Sequence, residues 1–171
     1  IQLSILSRLG SGSACRSIWP GFVRWQSGID PKGQDSHGVP MPHIWPQLCV
    51  GIVVVESGPK KISSRQGMKL SLSTSPLYRA WPQRVQMDLT RLEQAIEKQD
   101  FVSFGQVAED NAKSMHATMM LSHPPCCYSN AKTYDVIARV LHLREQGVPI
   151  YYTQDAGPNI KLLFMKADLS I

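Results

Sequence analysis

The feature that most constrains this chain is a change of hydrophobic period along it. In the middle third, apolar residues recur every three or four positions, while the flanking segments alternate or run apolar. Val85, Leu89, Leu92 and Ile96 fall at helical spacing and predict a helix over Gln83–Gln99. Asp100 then suits the N-cap of a second helix whose Phe101, Phe104, Val107 and Ala108 share a face. Pro124-Pro125 ends that region. Val136, Ile137, Val140 and Leu141 predict a third helix over Ala131–Glu145, with Gly147 as its stop. Strands are predicted on both sides: Phe22–Trp25, Leu48–Val55, Pro149–Thr153 and Ile160–Met165. The Asp30–Trp45 stretch reads as turns around a short strand. The run Leu48–Val55 is rich in β-branched residues, so it is expected to be a buried, central strand. Strands bracketing helices indicate an α+β layer structure.

Composition narrows the class further. The chain has 171 residues, 43% hydrophobic and 18% charged, which supplies a core and excludes disorder as the main state. Lys and Arg number 18 against 13 for Asp and Glu, a net charge of +5, which favours anionic partners. No apolar run reaches the roughly 20 residues that a membrane helix needs, so no membrane is expected. Ile1–Arg8 has no basic region before its apolar residues and is not a secretory signal. With no starting Met, the chain reads as a piece of something longer. Cys15, Cys49, Cys126 and Cys127 have neither metal spacing nor a disulfide framework, so free thiols in a reducing cytoplasm are expected. The five histidines have no metal-ligand spacing, and His116 reads as a packed histidine near a helix end. The four tryptophans form no stripe. The basic residues form none either, so a nucleic-acid surface is not expected.

Three segments could carry chemistry. Gly10-Ser11-Gly12-Ser13-Ala14-Cys15-Arg16-Ser17 reads as a small-residue loop running into a short helix. Its glycines let backbone N–H groups approach an anion, its serines add donors, and Arg16 can fork onto a carboxylate or phosphate. No G-K-[ST] comes after it, so it is not a Walker loop. Lys60-Lys61-Ile62-Ser63-Ser64-Arg65-Gln66-Gly67-Met68 gathers cations and hydroxyls at a helix start. Asp155-Ala156-Gly157-Pro158-Asn159 places a carboxylate in a turn between two strands, where it could act as a general base. Taken singly, each has a plain alternative that stays open: a Ser/Gly turn capping a helix, a solvated basic loop, and ordinary turn chemistry.

Taken together and in order, these segments, with Met115-His116-Ala117-Thr118, Pro124-Pro125, Asp35-Ser36 and Trp45-Pro46, resemble the diphosphomevalonate decarboxylase family of the GHMP kinase superfamily. The likeness extends over nearly the whole chain. The Ser63-Ser64-Arg65 form and the Tyr151-Tyr152-Thr153 approach to the aspartate look closer to bacterial members. The family's N-terminal segment, with its lysine-rich substrate region and adenine-side loop, is absent here, and Pro20 stands where the family usually has glycine.

The resemblance implies a GHMP kinase fold. Residues 1–57 would be the remainder of its N-terminal domain. Residues 58–171 would be its C-terminal domain, a ferredoxin-like, four-stranded antiparallel sheet with helices on one face. It implies ATP-dependent decarboxylation of mevalonate 5-diphosphate to isopentenyl diphosphate, with Mg²⁺, in a cytoplasmic homodimer. Asp155 matches the family's catalytic aspartate, Arg16 the arginine on the substrate carboxylate, and Ser13 a serine near that carboxylate and the reacting phosphate. Ser11, Ser13, Arg16, Ser64, Met68 and Asp155 are implied to bind substrate. Gly10, Ser11, Gly12, Ser13 and Lys60 are implied to bind nucleotide phosphates, and no protein metal ligand is implied. A phosphomevalonate decarboxylase, a mevalonate 3-kinase-like enzyme and a non-catalytic basic binding domain are the alternatives.

Overall fold

The structure, a computed structural model, describes residues 1–170. It divides into two compact units, Ile1–Trp45 and Pro46–Ile171.

The first unit opens with helix α1 (Gln2–Gly10), succeeded after Ser11 by a short 3-10 helix, Gly12–Arg16. Strands β1 (Val23–Trp25) and β2 (Gly38–Pro40) form an antiparallel ribbon with Trp25 opposite Gly38. Ser4 is the buried residue of α1. Its hydroxyl donates to the Cys15 carbonyl at 2.7 Å and accepts from the Gly38 N–H at 2.9 Å, joining the helix, the loop and the ribbon. Asp35 closes the intervening loop by accepting from the N–H groups of Ile29 and Asp30. These bonds hold its carboxyl below the ordinary carboxylate range.

The second unit is built on an antiparallel sheet in the order β3-β5-β4, from Leu48–Val53, Ile160–Met165 and Tyr151–Gln154. The register runs from Leu48 opposite Met165 to Val53 opposite Ile160, and from Tyr151 opposite Leu163 to Gln154 opposite Ile160. Leu48–Val53 therefore lies at the sheet edge, not at its centre, and Val50 and Ile52 are 58% and 68% exposed. Its apolar run is what a strand buried on both faces shows, but strand order is decided by pairing partners more than 100 residues away. The described residues contribute three strands to this sheet, not the four that the resemblance implies.

Four helices accompany the sheet: α2 (Ser64–Thr74), α3 (Trp81–Lys98), α4 (Phe101–Met120) and α5 (Ala131–Glu145). Capping chemistry sets their ends. Ser63 and Gln66 form a reciprocal capping box, Asp100 accepts from the Ser103 N–H, and Asn130 pairs reciprocally with Thr133. Gly147, at φ +91°, takes the left-handed turn that ends α5. Helix α5 lays Val136, Ile137 and Val140 against Tyr152, Ile160 and Leu162. Helix α4 meets β4, where Gly105 gives the Tyr151 ring its space. There Glu109, 2% exposed, accepts from Arg144 through both oxygens and from the Tyr152 N–H at 3.1 Å. Arg144 also lies over the Tyr151 ring, 4.3 Å from its centroid. A buried carboxylate is tolerable only with such partners. No described helix is long and apolar enough to cross a membrane.

Candidate active site

The candidate residues fall into two sets, one in each unit. In the first unit lie Gly10, Ser11, Gly12, Ser13 and Arg16. The sequence suggested a loop feeding a helix whose N-terminus faces an anion. Here the long helix precedes the loop, and the helix after the loop is five residues of 3-10 helix, too short for a macrodipole of consequence. An anion would have to be met by backbone N–H groups and hydroxyls. Ser11 is extended, with φ −148° and ψ 128°, and its Oγ is 3.3 Å from that of Ser13. Gly12 lies under Trp25: a Cβ there would be 3.0 Å from the indole ring. Cys15 is fully buried and anchors the turn by donating to the Gly12 carbonyl. Ser13 and Arg16 are exposed, and with Ser17, Trp19 and Phe22 they line an open pocket of about 440 Å³. Arg16 has no ion pair among the described residues, so its guanidinium is available to a carboxylate or phosphate.

In the second unit the structure brings together Lys60, Met68 and Asp155, with Ser64 at the start of α2. Asp155 comes directly after β4, and the turn around it is fixed at almost every residue but itself. Gln154, 5% exposed, donates to the Gly157 carbonyl at 2.8 Å and to Ser129 at 3.0 Å. Gly157 N–H donates to the Asp155 carbonyl at 2.7 Å. Thr133, fully buried, donates to the Pro158 carbonyl at 3.0 Å. Asn159 Oδ1 accepts from the N–H groups of Val55 and Glu56 at 2.9 and 3.0 Å. Ala156 is buried with Met119 and Cys126 in a cluster that also takes Ile62, Met68, Met115 and Tyr128. The Asp155 side chain remains 81% exposed and is ion-paired with Lys161 of β5.

Lys60 lies along the same turn: a Cβ on Gly157 would meet its Cε at 3.3 Å and its Nζ at 3.6 Å. Beside it, Glu56, Lys60, Lys61, Tyr128, Ser129 and Asn130 line an open pocket of about 400 Å³. Tyr128 donates to the Ser63 carbonyl at 3.1 Å, tying this wall to the start of α2. Burial, with Cys126 beside it, pushes the Tyr128 hydroxyl up to about 12, so it keeps its proton and stays a donor at neutral pH. His116 packs edge-on against Tyr128, with ring centroids 6.3 Å apart, consistent with its reading as a packed histidine. Burial pushes its imidazole below the ordinary 6.5, against the carbonyls of Asp155 and Gln154 and the Asp155 charge, which favour the protonated ring.

Sequence reasoning did not find Lys161, Gln154 or Thr133. Lys161 carried no local signal. The other two act through contacts between β4, the turn and α5 that only the fold creates. Among the described residues, no three His, Cys, Asp or Glu side chains gather as metal ligands.

A serine-glycine loop in one unit, and in the other an aspartate turn beside a lysine and an antiparallel sheet, make this an α+β protein and fit the GHMP kinase fold that the resemblance implies. Comparison with known proteins makes this specific. Residues 50–171 match the family described as mevalonate 5-diphosphate decarboxylase C-terminal domain, and residues 1–38 match the diphosphomevalonate decarboxylase-like N-terminal domain. The chain belongs to the diphosphomevalonate decarboxylase family.

It is similar to the diphosphomevalonate decarboxylases of Candida albicans, 37% identical over 98% of this chain and 47% of that protein, and of Homo sapiens, 39% over 92% and 41%. Among solved structures, mevalonate diphosphate decarboxylase from Staphylococcus aureus aligns with a TM-score of 0.92 at 41% identity, covering 99% of this chain and 51% of that one. A structure described as MDDEF in complex with MVAPP, AMPPCP and magnesium aligns at 0.93 and 38% identity, covering 99% and 52%. The chain thus spans about half the length of the relatives it matches.

Proposed function

We propose that this chain serves an enzyme that uses ATP to decarboxylate mevalonate 5-diphosphate, giving isopentenyl diphosphate, carbon dioxide, ADP and phosphate. The observation that supports it most directly is the Asp155 turn. Its backbone is held by Gln154, Ala156, Thr133 and Asn159, while its carboxylate is left exposed. That suits a general base: a fixed support and an exposed carboxylate, whose Lys161 partner gives way to the substrate hydroxyl in this reading.

In this reading Asp155 receives the proton of the tertiary 3-hydroxyl as that oxygen attacks the γ-phosphorus of ATP and ADP leaves. The C3–O bond then breaks, phosphate departs, and the electrons of the C1–C2 bond form the new double bond as carbon dioxide is released. Arg16 grips the substrate carboxylate and keeps that bond aligned with the departing phosphate. Ser13 lies near the carboxylate and the reacting phosphate. Gly10, Ser11, Gly12 and Ser13 form the loop that receives the ATP phosphates, through the N–H groups of Gly12 and Ser13 and the hydroxyls of Ser11 and Ser13, the Ser11 N–H being given to the Ser7 carbonyl, and the ring of Trp25 against Gly12 keeps that backbone bare. Lys60 offsets phosphate charge beside the Asp155 turn. Ser64 and Met68 meet the substrate diphosphate. Magnesium would accompany the ATP phosphates and offset their charge. The solved neighbour described with MVAPP, AMPPCP and magnesium supports this ligand set.

The boundary expected after residue 57 is better placed near Trp45, because Leu48–Val53 pairs with Ile160–Met165 and so belongs with the C-terminal domain. A cytoplasmic setting is supported by the four free thiols. A homodimer is expected for the whole enzyme, to be checked by light scattering.

The deciding experiment measures ADP release with ATP, Mg²⁺ and mevalonate 5-diphosphate, for this chain alone and for the chain joined to the N-terminal half of a relative. ADP release that depends on mevalonate 5-diphosphate in either protein supports the assignment. Its absence in both, with ATP binding intact, would overturn it.

A further inference from the structure

His116 stands apart from every role assigned above. It projects from α4 into the space between the Asp155 turn and Tyr128, and Tyr128 in turn holds the start of α2. Its Nε2 is buried and has no hydrogen-bond partner among the described residues. The backbone of Gln154 and Asp155 is nevertheless near enough to its ring to favour the protonated form. Leaving a buried donor unpaired costs more than a small rotation of an imidazole about its broad second torsion, so the paired arrangement wins. A neutral imidazole has one N–H to give, and the carbonyls of these two residues are the acceptors at hand.

We propose that His116 is a positioning residue for Asp155: its Nε2–H donates to the carbonyls of the Gln154–Asp155 segment and fixes the direction in which the carboxylate leaves the turn. The inference rests on the reading of Asp155 as general base and adds a residue to it. Its geometry explains why a histidine, rather than an apolar residue, stands at this place. The face of α4 that reaches the turn is otherwise built from Met115 and Met119, which fill space and offer no donor. The ring packs edge-on against Tyr128, so the Asp155 turn and the first turn of α2, which carries Ser64 and leads to Met68, are spaced by one rigid pair of rings. A shift of an ångström at a reacting group is enough to cost much of its rate, so the spacing matters to function.

The test uses two variants in the whole protein. His116→Phe keeps the ring against Tyr128 and removes the donor. His116→Gln keeps a donor with the reach of Nε2. His116→Phe is expected to lower kcat by ten- to a hundredfold with KM for mevalonate 5-diphosphate within about twofold, and His116→Gln to recover most of the loss. A readout free of turnover runs beside it. Amide exchange at Gly157, whose N–H is bonded within the turn, should quicken severalfold in His116→Phe and return in His116→Gln. Unchanged kcat and unchanged exchange in His116→Phe would overturn the inference, as would a loss that His116→Gln does not repair. If the wild-type protein shows no turnover while the exchange difference is present, the reaction reading falls and the positioning contact stands.

Discussion

Gly105 offers the sharpest test of how the second unit is packed. It lies inside α4, where glycine costs roughly 0.5–1 kcal/mol relative to alanine, so on helix propensity Gly105→Ala should stabilise. The packing opposes this. A Cβ at position 105 would lie 2.1, 2.2 and 2.7 Å from three atoms of the Tyr151 ring, all at its root rather than at a flexible tip. Ordinary carbon contacts are about 3.5–4.0 Å, so the ring would have to retreat by roughly 1.5 Å. It has nowhere to go. Tyr151 is 5% exposed, packs edge-on against Phe101 at 5.4 Å, and lies under the Arg144 guanidinium that Glu109 holds. Overpacking of this kind costs about 1–3 kcal/mol and more when a charged pair is displaced with it. The clash outweighs the helix gain, and we expect a net destabilisation of roughly 2 kcal/mol. Urea unfolding monitored by far-UV circular dichroism should show the midpoint falling without a change of slope. Thermal melting should fall by about 4–8 °C for a chain of this size. A variant as stable as the wild type, or more so, would refute the claim that the ring is fixed.

The same geometry sets other outcomes. Asp155→Asn in the whole protein should lower kcat by at least about a hundredfold with little change in KM, read by steady-state ADP release. Arg16→Gln should raise KM and lower kcat together in the same assay, because it removes a carboxylate contact made throughout the reaction. Arg144→Met should cost about 3 kcal/mol in urea unfolding, since it removes the two-oxygen partner of the buried Glu109 carboxylate and leaves it only Lys113 at 3.5 Å and the Tyr152 N–H. His116 is held below its ordinary 6.5, so the unfolded chain takes up its proton first. Its contribution to stability is complete above pH 6.5 and is lost as pH falls from there toward the lower folded value. His116→Gln should flatten that part of the pH–stability curve, as measured by urea midpoints.

Local chemistry made much of the second unit legible. Helix α5 begins and ends where Asn130 and Gly147 say it should, α4 starts at Asp100, and β5 keeps the predicted bounds Ile160–Met165. These limits are written in caps and periodicity, which act within a few residues. Helix α1 was not legible, because its apolar Leu3, Leu6 and Leu9 are exposed and the residue it buries is Ser4. The edge position of Leu48–Val53 was hidden for a similar reason: pairing across the chain, not local pattern, sets strand order. At the site, the aspartate turn and the lysine-serine helix start could be read as candidates. The contacts that fix them could not. Glu109, a charge inside a helix that looks amphipathic, is turned inward by Arg144, which lies 35 residues away.

Asn159 holds the turn to the end of β3 with one oxygen, which accepts from both Val55 and Glu56. An aspartate could accept the same two bonds with the same geometry. The difference lies in charge. An amide clamps the turn without adding a second negative group near Asp155, whereas a carboxylate there would repel every polyphosphate that approached. Joining two segments 104 residues apart with an electrically silent clasp adds no further carboxylate to Glu56 and Asp155, so Lys60 and Lys61 still outnumber Glu56 on this wall and keep it receptive to anions.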